Sequence, residues 1–303
     1  MNKKPLIAVE NRLDKPHTGE NQRLGKILDA YVKKQGRHKP YLDRDQSFYW
    51  DAEHYHLHTS TLFQQASTEQ QHKILEKCSQ NLVSESYFVE KSASAYCGKM
   101  MLLADTTEIA QTYSMIANEE AIHLQWITPF MDEGARQRPQ GFFLQFLSSL
   151  IEECDPHLLP YLVQIILEGW GLHHYKNLAR LCLNPELKEI FLSIVRDEAL
   201  HHHAGEVIFD AHQMTQTQQN IILECLITFC EMVRVGPLEV IQAVEEELGG
   251  LNKKQKKQLF HEINGFASAQ EKLNLLKSLM LQPGMEKTVQ LLEEKHYFTP
   301  LVD

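Results

Sequence analysis

The segment PELKEIFLSIVRDEALHHHAGEVIFDA, residues 185–211, decides how the rest of the chain is read. Asn184 stands before it as a good helix cap, and Pro185 suits the first helical position. Leu187, Phe191, Ile194, Glu198 and His201 follow one another at steps of three and four, so they share one helix face. Glu198 therefore occupies a place on an apolar stripe that calls for Leu or Ile. A carboxylate buried there is costly unless another group compensates its charge. Glu198 and His201 also form a Glu-x-x-His pair, whose i, i+3 spacing presents an oxygen and an imidazole side by side.

The same reading applies to DTTEIAQTYSMIANEEAIHLQWI, residues 105–127. Its inward stripe is Ile109, Tyr113, Ile116, Glu120, His123, Ile127 and Phe130, and it carries a second pair, Glu120 and His123. Asp105 with Glu108 is the expected capping box at its start. Two further helices complete the pattern. One is expected over about Ser67–Leu103, boxed by Gln70, with Val83, Tyr87, Glu90, Ser94 and Cys97 inward. The other is expected over about Leu158–Cys182, with Pro160 in its first turn and Tyr161, Ile165, Glu168, Leu172 and Tyr175 inward.

One Glu-x-x-His motif is weak evidence, because the pattern arises often by chance. Its repetition is stronger. Glu90 precedes Glu120 by 30 residues, and Glu168 precedes Glu198 by the same 30. The separations 168 − 90, 198 − 120 and 201 − 123 all equal 78. The chain thus holds two copies of a helix with Glu followed by a helix with Glu-x-x-His. The expected architecture is all-α, with a four-helix bundle in which six ligands meet about a pseudo-two-fold axis. Four carboxylates and two imidazoles suit a pair of iron or manganese ions. The competing arrangement turns these acids to solvent and places Leu200 and His202 inside. Glu85 could stand in for Glu90, but it breaks both the stripe and the 78-residue offset.

The bundle is expected over residues 67–213. An extension, residues 1–66, packs on it, and helices in 214–303 complete the same domain. The extension holds one short amphipathic helix near Glu20–Lys34. A shorter helix fits Gln140–Cys154, and another starts at Thr215, boxed by Gln218. Later helices are broken at Gly249-Gly250 and Pro283-Gly284. His54, His56 and His58 alternate, as on one side of an extended segment.

Composition narrows the function. The net charge of −10 disfavours a nucleic-acid partner. No apolar run reaches the length of a membrane span, and the first ten residues lack a secretory signal. Six cysteines, none in a CxxC pair, argue against a zinc ribbon, a rubredoxin-type centre or a thioredoxin-type site. They read as reduced thiols in the cytoplasm.

These residues resemble the ferritin-like di-iron carboxylate superfamily over roughly residues 67–211. It includes ribonucleotide reductase small subunits, acyl-carrier desaturases, multicomponent monooxygenases, aldehyde-deformylating oxygenases and arylamine N-oxygenases. The resemblance implies two iron ions, with a manganese–iron pair as the variant, and dioxygen as co-substrate. Glu120 and Glu198 would bridge the metals, Glu90 and Glu168 would be terminal ligands, and His123 and His201 would each bind one ion. Asp197 and Glu119, one residue before the motif acids, would accept the outer N–H of ligand histidines. The implied activity is that of an oxidoreductase acting on a small organic substrate through a peroxo-type species. A reductase, a ferredoxin or the substrate would supply electrons, and a homodimer is compatible with the pattern. The alternative is a ferroxidase or peroxide scavenger. A second alternative follows from Phe48-Tyr49-Trp50 and residues 62–71, which look similar to arylamine N-oxygenases. Those usually add a histidine where this chain has Ile194. Ile127 stands where reductase subunits often place a radical tyrosine.

Cys97 and Tyr175 lie one heptad beyond Glu90 and Glu168, so they are candidates to line a cavity beside the metals. Tyr113 and Tyr87 are candidates for redox or hydrogen-bonding roles; ordinary core packing is the competing reading for each. Gly169 and Gly171 follow Glu168 by one and three residues. They could open room for dioxygen or substrate, permit a local π-bulge, or mark close helix packing. His173, His174, His202 and His203 fall largely off the metal face.

Overall fold

The computed structural model describes residues 22–34, 46–132 and 141–301. The expected starts at Glu20 and Gln140 lie outside the described residues. Among those described, the chain is helical throughout and has no strand. The helices are α1 (Gln22–Lys34), α2 (Thr61–Gln65), α3 (Thr68–Leu103), α4 (Thr107–Ile127), α5 (Phe142–Glu153), α6 (Gly169–Leu181), α7 (Pro185–Ile208), α8 (Gln216–Arg234), α9 (Leu238–Glu247), α10 (Lys253–Glu262), α11 (Gly265–Met280) and α12 (Glu286–Glu294). A π-helical segment, Pro160–Glu168, leads into α6. Among the described residues, no helix is long and apolar enough to cross a membrane.

Local chemistry explains most of the boundaries. Ser67 and Gln70 exchange side-chain bonds with each other's backbone N–H at the start of α3. The Asn184 side chain accepts from Leu187 N–H at the start of α7, and Thr215 with Gln218 boxes α8. At α4 the cap is Thr106, whose hydroxyl accepts from Ile109 N–H, so the expected box led by Asp105 is corrected by one residue. A threonine one place nearer the helix performs the same capping. The stretch with His54, His56 and His58 is compact rather than extended. His56 takes a left-handed conformation, φ 55°, and a short 3₁₀ turn follows over Leu57–Thr59.

The chain divides into two compact units, residues 1–42 with 82–154 and residues 43–81 with 155–303. In the first, the core includes Val83, Tyr87, Phe88, Tyr96, Tyr113, Ile116 and Ile127. Tyr96 and Tyr113 meet edge-on, their hydroxyls 3.2 Å apart. Lys99 reaches the carbonyls of Ile151 and Cys154, neutralising the C-terminal end of α5.

In the second unit, Tyr161, Leu162, Ile165, Leu187, Phe191 and Ile194 are buried. The Trp50 indole N–H donates to Leu178 O at 2.8 Å, and the Tyr161 hydroxyl donates to Met280 O at 2.7 Å. Two glycines permit close packing here. A Cβ at Gly205 would lie 2.5 Å from Gln164 Cβ, and one at Gly169 would lie 2.6 Å from Leu279. Gly169 therefore marks close packing, whereas a Cβ at Gly171 would meet only the Tyr175 ring at ordinary distance.

Candidate metal centre

The four helix faces read from the sequence are the buried faces. On α4, Tyr113, Ile116, Glu120, His123 and Ile127 are buried, and on α7, Leu187, Phe191, Ile194, Glu198 and His201 are buried. The acids are as deep as their apolar neighbours: Glu90 is 1% exposed, Glu120 0%, Glu168 6% and Glu198 4%. Leu200 is 64% exposed, which rules out the arrangement with the acids turned outward. Of the expected inward residues beyond Glu168, Tyr175 is buried but Leu172 is only half-buried. The π-helical segment ends at Glu168, and a regular α-helix carries Leu172 and Tyr175.

Each unit by itself gathers one triad. In the first, single ligand atoms of Glu90, Glu120 and His123 lie within 4.8 Å of one another. His123 Nδ1 is 2.9 Å from Glu90 Oε2 and 3.7 Å from Glu120 Oε2. In the second, ligand atoms of Glu168, Glu198 and His201 lie within the same 4.8 Å limit. His201 Nδ1 is 3.7 Å from Glu198 Oε1, repeating the spacing of the first motif. Adjacent donors on an octahedral ion with bonds of about 2.1 Å lie roughly 3 Å apart. These separations are of that order, and the carboxylate and imidazole donors suit iron or manganese better than a soft metal. The buried Glu/His residues could therefore hold a metal ion, and the donor chemistry fits the expected one.

Neighbouring residues define the surroundings. The His123 and Trp126 rings lie 5.8 Å apart, and Tyr175 stacks on Phe191 at 5.5 Å. Cys97 is fully buried, as are Tyr87 and Tyr113. Asp197 and Glu119 are both half-buried beside their motif acids. Glu85 is half-buried and joins neither triad.

The other histidines separate cleanly from the ligands. His173 and His203 are exposed, and neither they nor His174 and His202 join a triad. Burial pushes the His174 imidazole down to about 3 and His54 down to about 4, so both are neutral at pH 7. One polar residue beside the second triad, Gln164, has no place among the sequence expectations. Gln164 is fully buried, and its side-chain amide donates to His201 O at 3.0 Å. His202 Nδ1 donates in turn to Gln164 O at 3.1 Å. The available signal was a glutamine inside the apolar run Leu158–Leu167.

No protein-family model, no curated protein and no solved structure matches this chain.

Proposed function

We propose that the two triads serve one pair of metal ions in a ferritin-like four-helix bundle, and that the protein is a dioxygen-dependent oxidase or oxygenase of a small organic substrate. The observation carrying this reading is the pair of buried Glu-Glu-His triads, alike in composition, spacing and helical position, at a sequence offset of 78. On this reading Glu90, Glu120 and His123 would hold one ion, and Glu168, Glu198 and His201 the other. Iron, or iron with manganese, would supply the redox capacity to activate dioxygen.

The chain's own residues have three tasks. The six ligands fix donor positions on rigid helices rather than on loops. The apolar faces around them, Ile116 and Ile127 in one unit and Ile165 and Ile194 in the other, keep water away. Asp197 and Glu119 orient ligand imidazoles through their outer N–H groups. Cys97, Tyr113 and Tyr175 border the space in which a substrate would lie. A reductase, a ferredoxin or the substrate itself provides electrons.

Asp197 offers a separate check. Asp197→Ala is expected to keep the helical circular-dichroism spectrum while weakening metal affinity by roughly 10- to 100-fold. Unchanged affinity in a metal titration would make Asp197 a surface acid only.

Stopped-flow oxidation of the ferrous-loaded protein tests the activity. Oxidation is expected to accelerate in the presence of one fraction of cell metabolites, and a component of that fraction should gain oxygen or lose hydrogen. Many turnovers of excess ferrous iron, with no fraction altered, would transfer the protein to the ferroxidase class.

A further inference from the structure

Helix α1 reads QRLGKILDAYVKK and sorts its residues by side. Leu24, Ile27, Leu28 and Tyr31 recur at i, i+3, i+4 and i+7, which places them on one stripe. In that order they are 50%, 52%, 36% and 62% exposed. Among the side chains of α1 that are described, Val32 alone is buried, and Gly25 is half-buried. A Cβ at Gly25 would meet nothing within 4 Å, so no close contact calls for glycine there. A helix of 13 residues is marginal by itself in water, and an interior glycine weakens it further. Most helices are held by packing an apolar face. Here that face is turned outward, so the surface that completes it is not among the described residues.

The rest of α1 is basic. Lys26 and Lys33, seven residues apart, lie on the side away from the stripe. Arg23 and Lys34 border it, four residues before and seven after Ile27. Asp29 is the one acid of the helix. The sequence continues with Arg37 and Lys39, so residues 22–39 carry a surplus of five positive charges in a chain whose total is −10. Bulky apolar side chains on one face, with cations behind and along the border, suit a helix lying in the interface of an anionic bilayer. Lys and Arg stems let the charges reach headgroups while the stripe sinks toward the acyl chains. A protein partner fits less well. Each side of a stable protein interface brings roughly 20–30 residues and about 800 Å², whereas the stripe offers four partly exposed side chains.

From this sorting we propose that α1 is a membrane-surface helix, which seats Leu24, Ile27, Leu28 and Tyr31 in the interface of a bilayer containing anionic lipid. The helix lies on the bilayer and does not span it: 13 residues reach about 20 Å, against a hydrocarbon core of about 30 Å. Two terms combine. The apolar stripe supplies the insertion, and the cations supply the preference for anionic headgroups, at roughly fivefold in affinity for each Lys or Arg near the surface. No residue of α1 belongs to either triad, so the proposal stands apart from the metal reading.

Co-sedimentation of the full chain with phospholipid vesicles tests it. At about 0.1 M salt, phosphatidylcholine vesicles with about one-third phosphatidylserine should carry the wild type down. Pure phosphatidylcholine vesicles should bind it at least about tenfold more weakly. Raising the salt to about 1 M, where charges are screened within about 3 Å, should release most of the protein. Ile27→Asp should lower the partition roughly 10- to 100-fold, and Lys26→Gln with Lys33→Gln roughly 10- to 30-fold. All three positions are exposed, so the helical circular-dichroism spectrum and the metal content of both variants should match the wild type. No sedimentation of the wild type with anionic vesicles, equal sedimentation with both lipids, or an unchanged partition of Ile27→Asp would overturn the proposal. So would concentration-dependent self-association without lipid that Ile27→Asp abolishes, which would give the stripe to a second copy of the chain.

Discussion

Stripping the metal should lower the melting temperature of this protein by about 10 °C, and replacing Glu120 with Leu should recover part of that loss without metal. Glu90 and Glu120 in one unit, and Glu168 and Glu198 in the other, lie at positions that helical periodicity reserves for apolar residues. Removing carboxylates from water is costly, and a bound cation offsets that cost. An ion held at about a thousand times its dissociation constant stabilises the fold by about 4 kcal/mol. For a chain of 303 residues that amounts to roughly 1.6 °C per kcal/mol, so two such ions together shift the transition by about 10 °C. Leu has nearly the volume of Glu, and apolar replacement of buried charge is typically neutral or stabilising by about 1–4 kcal/mol. Glu120→Leu should therefore melt at or above the chelated wild type and respond less to added iron. Scanning calorimetry on the four samples decides it. Coincident melting of loaded and chelated wild type would show that no ion compensates these acids.

The helices themselves were largely legible in the sequence, because burial follows a period that sequence displays. Glu198 and His201 could be placed on the buried face from Leu187, Phe191 and Ile194 alone, and Leu200 is exposed as that face requires. Caps were legible wherever a side chain closes on its own helix, as at Ser67, Asn184 and Thr215. The shift from Asp105 to Thr106 arose because several neighbouring residues there can cap.

What stayed hidden depends on contacts distant in sequence or on backbone departures from the α-helical period. Sequence offers the π turn before Glu168 only as one of three roles for Gly169 and Gly171. Gln164 read as one polar residue in an apolar run. Its partners, His201 O and His202 Nδ1, lie 37 and 38 residues away, beyond any local pattern. His54, His56 and His58 alternate as a strand would, yet the left-handed turn at His56 folds them into a compact segment. Alternation over five residues is too short to outweigh a turn.

The central claim is that six residues bind two ions, and metal content measures it most directly. Protein reconstituted anaerobically with ferrous iron and then desalted should hold about two ions per chain by elemental analysis. The double substitution Glu120→Ala with His201→Ala removes a carboxylate of one triad and the imidazole of the other, and should leave fewer than about 0.2 ions per chain. Both substitutions also open space in a packed core, so circular dichroism must show that the variant is still helical. The four-carboxylate, two-imidazole centre predicts a ratio near two that collapses in the folded variant. A ratio near zero in the wild type, or iron retained undiminished by the variant, would contradict it.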